Sequence, residues 1–154
     1  MHSTEDQTAL SDFPIVAPIV VRVRDIDSMG HVKNAVYLTY FEIPRVAYHQ
    51  ALAGGAPLGA TDFDFILAEV TCRYRSPAYL GETVLVGIRV GSVGRKSFTL
   101  EYDMREQASG RLVAEGHSVQ VMYDCGQRRS RPLTDEFLAK VEALQGPVAP
   151  SDGA

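Results

Sequence analysis

Within RVRDIDSMGHVKNAVYLTYFE, residues 22–42, two carboxylates and an imidazole (Asp25, Asp27 and His31) stand just ahead of one of the most apolar runs in the chain. Asp27 falls where a strand ends and a helix begins. The first N–H groups of a helix lack internal acceptors and point at whatever lies in front of them. A carboxylate and a cluster of donors are thereby brought together, which suits acyl transfer. The donors would hold the oxyanion that develops on a carbonyl, while the carboxylate activates water or attacks the carbonyl itself. A thioester is the plausible electrophile, since the sequence displays no metal-ligand set and no serine triad.

The same residues also have simpler uses. Spacing alone favours helix capping or an Asx-turn for Asp25 and Asp27. A lone loop histidine such as His31 is more commonly a hydrogen-bonded structural residue than a general acid. Asn34 is placed to cap the helix with its side chain, and Gly30 to permit a turn. Two basic clusters offer anion contacts: Arg95 and Lys96 beside Ser97 in VGRKSF, residues 93–98, and the arginines of QRRSR, residues 127–131. Each suits either phosphate groups or a solvated hairpin end.

The elements that must position these residues follow from hydrophobic period. Over residues 17–24, Ile19, Val21 and Val23 alternate with Val20, Arg22 and Arg24, as in a strand with one buried face. From Asn34 to Ala53 the period changes, and Tyr37, Tyr40, Phe41, Pro44, Ala47, Tyr48 and Ala51 mark one helical face. Pro44 removes a hydrogen bond at a cost of about 3 kcal/mol, so a bend is expected there. GGAPLG at 54–59 should end the helical region.

Alternation returns from residue 66 to Pro77, with Ala68, Val70, Cys72 and Tyr74 opposite Glu69, Thr71, Arg73 and Arg75. Val84, Val86, Ile88 and Val90 mark the next strand, and Phe98, Leu100, Tyr102 and Met104 its antiparallel neighbour. Residues 111–123 read as a further strand despite Gly116. Thr134 then opens a short amphipathic helix that stops at Gly146. The order is one strand, one long helix, four strands at hairpin spacing and a terminal helix. That is an α+β architecture whose antiparallel sheet needs the longest helix to cover its apolar face.

A chain of 154 residues makes one domain, taken as 14–146, with disordered tails at 1–13 and 147–154. Fifteen basic against 19 acidic residues give a net charge of −4, which offers no support for nucleic-acid or anionic-membrane binding. No leader-like segment opens the sequence, no apolar run approaches bilayer length, and the two cysteines are not closely paired. A cytoplasmic protein is expected.

At this level the sequence resembles the hotdog-fold acyl-CoA thioesterases of the 4-hydroxybenzoyl-CoA thioesterase type. VRVRDIDSMGHVKNAVYLTYFEIPR looks like that family's strand, aspartate loop and helix entry, including Tyr37, Glu42 and Arg45. VTCRYRSPAYLGETVLV and GRKSF resemble its next strands, so the likeness covers about residues 17 to 125. It implies an antiparallel sheet wrapped around a long central helix; no cofactor and no metal are expected. It also implies an acyl-CoA substrate and a homo-oligomer, dimer or tetramer, whose active site lies where two subunits meet edge to edge. Asp27 would then be the catalytic carboxylate, acting as general base or nucleophile. The backbone N–H near Asn34 would polarise the thioester, His31 would be a secondary candidate, and Arg95, Lys96 and Ser97 would face the coenzyme A phosphates. The alternative is a domain that binds acyl-CoA or acyl-carrier protein without turnover. A hydratase on the same fold is disfavoured by the Asp27–His31 spacing.

Overall fold

The computed structural model describes residues 10–55 and 65–151. In chain order the elements are β1 (Ile15–Val20), a 3-10 turn (Val23–Asp25), α1 (Asn34–Leu52), β2 (Phe65–Tyr74), β3 (Thr83–Val93), β4 (Ser97–Glu106), β5 (Leu112–Asp124), β6 (Arg129–Ser130), α2 (Asp135–Gln145) and β7 (Ala149–Pro150). The main strands lie in the order β1-β3-β4-β5-β2, with β6 on β5 and β7 on β3. All pairings are antiparallel except β3 with β7.

Hairpin succession holds for β3, β4 and β5 but not for β2, which pairs with β5 instead of its chain neighbour β3. The connection after β2 carries the chain back toward β1, as the Gly81 N–H bond to the Val21 carbonyl shows (3.2 Å). This crossover leaves β2 as one edge of the sheet and places its C-terminal end beside the start of α1. Tyr74 Oη donates to the Asn34 carbonyl at 2.8 Å.

One face of the sheet packs on α1 and α2. Val86, Ile88, Leu100 and Met104 are essentially fully buried on that face, as is Phe41 of α1. The Phe41 and Tyr102 rings stack with centroids 4.2 Å apart. Gly116 breaks the pattern of β5 for a packing reason, because a Cβ there would stand 3.0 Å from the Phe41 ring and would also meet the Thr71 carbonyl. α2 begins as expected: Thr134 Oγ1 accepts from the Phe137 N–H, and Gly146 at φ 87° closes the helix.

Two expectations change, at the first strand and in the C-terminal tail, and one is narrowed. The first strand ends at Val20 instead of running to residue 24, because the Arg22 N–H donates to the Asp25 carboxylate and the chain winds into the 3-10 turn. The bend expected at Pro44 does not divide the helix: α1 runs uninterrupted from Asn34 to Leu52, with Pro44 buried on the same face as Tyr40, Phe41 and Tyr48. Ala149 and Pro150, inside the expected C-terminal tail, pair with Ser92 and Val93. The expectations for residues 1–9, 56–59 and 152–154 lie outside the described residues. Among the described residues no helix is long and apolar enough to cross a membrane.

Candidate active site

The loop that leads into α1 is tied on both sides. Asp25 Oδ2 accepts from the Tyr40 hydroxyl at 2.7 Å and from the Arg22 N–H at 3.0 Å, and its carbonyl accepts from the Lys33 N–H at 2.9 Å. Asp25 therefore fastens the loop to the buried face of α1. Burial, and then the hydrogen bond to Asp25, push the Tyr40 phenol far above its ordinary pKa, so it is the donor at any working pH. On the other side Val32 N–H donates to the Ala78 carbonyl at 2.9 Å, and His31 bridges Tyr79.

Between these anchors Asp27 forms a tight turn. Its Oδ1 accepts from the Met29 N–H at 2.9 Å and the His31 N–H at 3.2 Å, while the Asp27 N–H donates to the His31 carbonyl at 2.8 Å. The Gly30 N–H donates to the Asp27 carbonyl at 3.1 Å, and Gly30 takes φ 80°, a conformation that favours glycine. The Asx-turn reading of Asp27 is thus correct, and it fixes one carboxylate oxygen of a side chain that remains exposed.

Lys33 is the N-cap of α1, and no side chain caps the helix. Asn34, expected to supply that cap, is instead the first helical residue. The Val36 N–H is taken by the Lys33 carbonyl at 2.9 Å, whereas the N–H groups of Asn34 and Ala35 have no acceptor among the described residues. Two donors with the partial positive charge of a helix start are left open there.

Asp27, His31 and Asn34 line one cleft of about 350 Å³, together with Tyr37, Tyr74, Arg75 and Ser76. His31 contributes its backbone to the Asp27 turn, while its imidazole packs edge-on against Tyr79, ring centroids 5.0 Å apart. The rings of Tyr37 and Tyr74 meet at 5.1 Å and close the inner wall. In the sequence Tyr37 belongs to a helical face and to the stretch that carries the family resemblance, and Tyr74 to a strand face; the β2 crossover that brings them together is not a local signal.

Arg95, Lys96 and Ser97 do not line this cleft. Arg95 and Lys96 occupy the β3–β4 turn and Ser97 starts β4, which pairs there with Val121, whereas the Asp27 loop adjoins the end where β3 begins. A ten-residue strand such as β4 separates the two ends by roughly 30 Å. Lys96 Nζ reaches Ser130 Oγ of β6 at 3.5 Å. Among the described residues no three His, Cys, Asp or Glu side chains gather as a metal-binding group.

A strand, an aspartate turn, an uncapped helix start and a sheet that returns to cover it make a recognisable combination. The family model that matches residues 21–141 is that of the thioesterase-like superfamily. The chain belongs to that superfamily. It is similar to the long-chain acyl-CoA thioesterase FadM of Escherichia coli K12, with 25% identity over 126 residues, 82% of this chain and 96% of that relative. It is also similar to a thioesterase from Thermus thermophilus whose structure was solved with coenzyme A and Zn. That likeness has 34% identity and a TM-score of 0.79, covering 88% of this chain and 97% of the other. Slr0204, a 1,4-dihydroxy-2-naphthoyl-CoA thioesterase from Synechocystis, shares the fold at 19% identity and a TM-score of 0.74, covering 86% of this chain and 98% of that one. The architecture is the hotdog fold, and the protein is a thioester hydrolase.

Proposed function

We propose that the protein hydrolyses acyl-CoA thioesters at the Asp27 cleft, as a homo-oligomer. The observation that carries this reading is one cleft lined both by a carboxylate, held by the Met29 and His31 N–H groups, and by Asn34, the first residue of a helix start whose N–H groups are open. The thioester carbonyl accepts from the helix-start donors, which strengthen their hold as its oxygen becomes an oxyanion. Asp27 acts as general base, taking a proton from water whose oxygen attacks the carbonyl carbon, or it attacks that carbon itself and the mixed anhydride is then hydrolysed. In both routes the C–S bond breaks and the coenzyme A sulfur leaves as thiolate. His31 serves through its main chain.

Coenzyme A as the leaving group is supported by the FadM relative and by the coenzyme A-bound Thermus neighbour. The distant position of Arg95, Lys96 and Ser97 supports a dimer. If two β2 edges paired antiparallel, the β3–β4 turn of one copy would approach the Asp27 end of the other, where the phosphates of the substrate would emerge. The free thiols of Cys72 and Cys125 fit a reducing, cytoplasmic setting.

Release of free thiol from aromatic, short-chain and long-chain acyl-CoAs tests the reading. Turnover of at least one class well above the spontaneous rate is expected. Tight binding of coenzyme A ligands with no thiol release from any of them would make the protein a binding module instead.

A further inference from the structure

Tyr74 is the last residue of β2, and it stands against the first residue of α1. Its hydroxyl donates to the Asn34 carbonyl at 2.8 Å, its ring meets Tyr37 at 5.1 Å, and all three residues line the Asp27 cleft. The helix does not need this bond. In an α-helix a carbonyl already accepts from the N–H four residues on, so Tyr74 takes the second lone pair of the oxygen. Nor does the tyrosine need it: Tyr74 is 48% exposed, and water would serve its hydroxyl.

The bond bears instead on the open donors. The Asn34 N–H belongs to the residue whose carbonyl is held, and the Ala35 N–H belongs to the same peptide group as that carbonyl. Neither N–H has an acceptor among the described residues. A hydrogen bond to the oxygen of a peptide group draws charge from its nitrogen and makes its N–H a stronger donor. It also holds in one orientation a helix end that would otherwise fray. Burial, and then Cys72, raise the Tyr74 phenol above its ordinary pKa, so the hydroxyl keeps its hydrogen through the neutral range. Cys72, which also interacts with this hydroxyl, has its own pKa raised by burial and brings no charge against it.

We propose that Tyr74 is a positioning residue for the reaction: by donating to the Asn34 carbonyl it fixes the helix start and strengthens the donors that receive the thioester oxygen. This rests on the acyl-CoA hydrolase reading above. Tyr74 acts through the backbone and touches no reacting atom. Its contribution grows as the thioester oxygen becomes an oxyanion, so its loss falls on kcat more than on KM.

Tyr74→Phe keeps the ring against Tyr37 and removes the hydroxyl alone. Thiol release should show kcat lowered about tenfold with KM within about twofold of wild type. The second readout is infrared absorption of dodecanoyl-CoA and benzoyl-CoA, each carbon-13-labelled at the thioester carbonyl, on Asp27→Asn protein with and without Tyr74→Phe. The bound carbonyl should absorb at lower frequency than in solution, and Tyr74→Phe should abolish part of that shift. An undiminished shift in the double variant would overturn the inference even where kcat is lowered, because it would leave Tyr74 a structural tie. So would a Tyr74→Phe kcat equal to that of wild type, or a carbonyl that stays at its solution frequency with Asp27→Asn protein. Absence of thiol release by wild type from any acyl-CoA would remove the hydrolase reading; the infrared shift needs binding without turnover and still decides the role of Tyr74.

Discussion

Two aspartates two residues apart do different work. Asp25 is structural, since the Tyr40 hydroxyl and the Arg22 N–H both donate to its Oδ2. Tyr40→Phe removes the tie between loop and helix without emptying the core. It should cost about 1–2 kcal/mol in urea unfolding and lower kcat with little change in KM. Asp27 uses Oδ1 to close its turn and stays exposed at the cleft. His31 gives its N–H to that turn while its ring packs on Tyr79, so His31→Ala should keep thiol release within about tenfold of wild type. A loss of several orders of magnitude would put the imidazole into the chemistry. Residue types and spacing mark Asp25, Asp27, His31 and Asn34 but favour structural roles for them; the family resemblance is what singles out Asp27 and Asn34. Neither divides the labour, because the partner of Asp25 lies 15 residues away on a buried helix face. Asn34 does not cap the helix with its side chain; it is the first helical residue, and its N–H is left open.

At the scale of elements, the start of α1 gives up stability for open donors. Lys33→Asp would supply the missing cap to the second or third helical N–H, stabilising the fold by about 1 kcal/mol while occupying groups proposed to hold the oxyanion. Unfolding and thiol-release assays on one preparation should move in opposite directions; a variant both more stable and fully active would contradict the assignment. The β4–β5 turn does the reverse and satisfies its donors. The Glu106 carboxylate accepts from the Ala108 and Ser109 N–H groups, chiefly the former, and these hold its pKa below the ordinary glutamate value. A lowered carboxylate pKa adds stability that is present above the unfolded-state value and is lost as pH falls through the folded one. Glu106→Gln should therefore be less stable than wild type near neutrality, and the difference should close as pH falls below about 4. Helix and strand periods locate these elements nearly to their ends. The 3-10 turn at Val23–Asp25 escapes them because its cause is one side-chain bond, and the β2–β5 pairing escapes because alternation carries no register.

For the whole molecule, β2 is an edge of the sheet that invites a partner. β2 leaves Ile66 and Leu67 more than two-fifths exposed and pairs on one side only. The family resemblance carries an edge-to-edge assembly that no periodicity within one chain can reveal, because the residues to be joined belong to two copies. Leu67→Lys should yield a monomer in sedimentation with little thiol-release activity, since in the proposed dimer it is the partner copy that brings Arg95, Lys96 and Ser97 to Asp27. A fully active monomer would refute the shared site. The most direct measurement of the central claim is kcat for acyl-CoA hydrolysis by Asp27→Asn against wild type, on protein with an unchanged unfolding transition. The exchange keeps the shape and the turn-closing oxygen and removes the charge. Turnover should fall by at least about a hundredfold with KM changed little, whereas near-normal turnover would remove Asp27 from the mechanism.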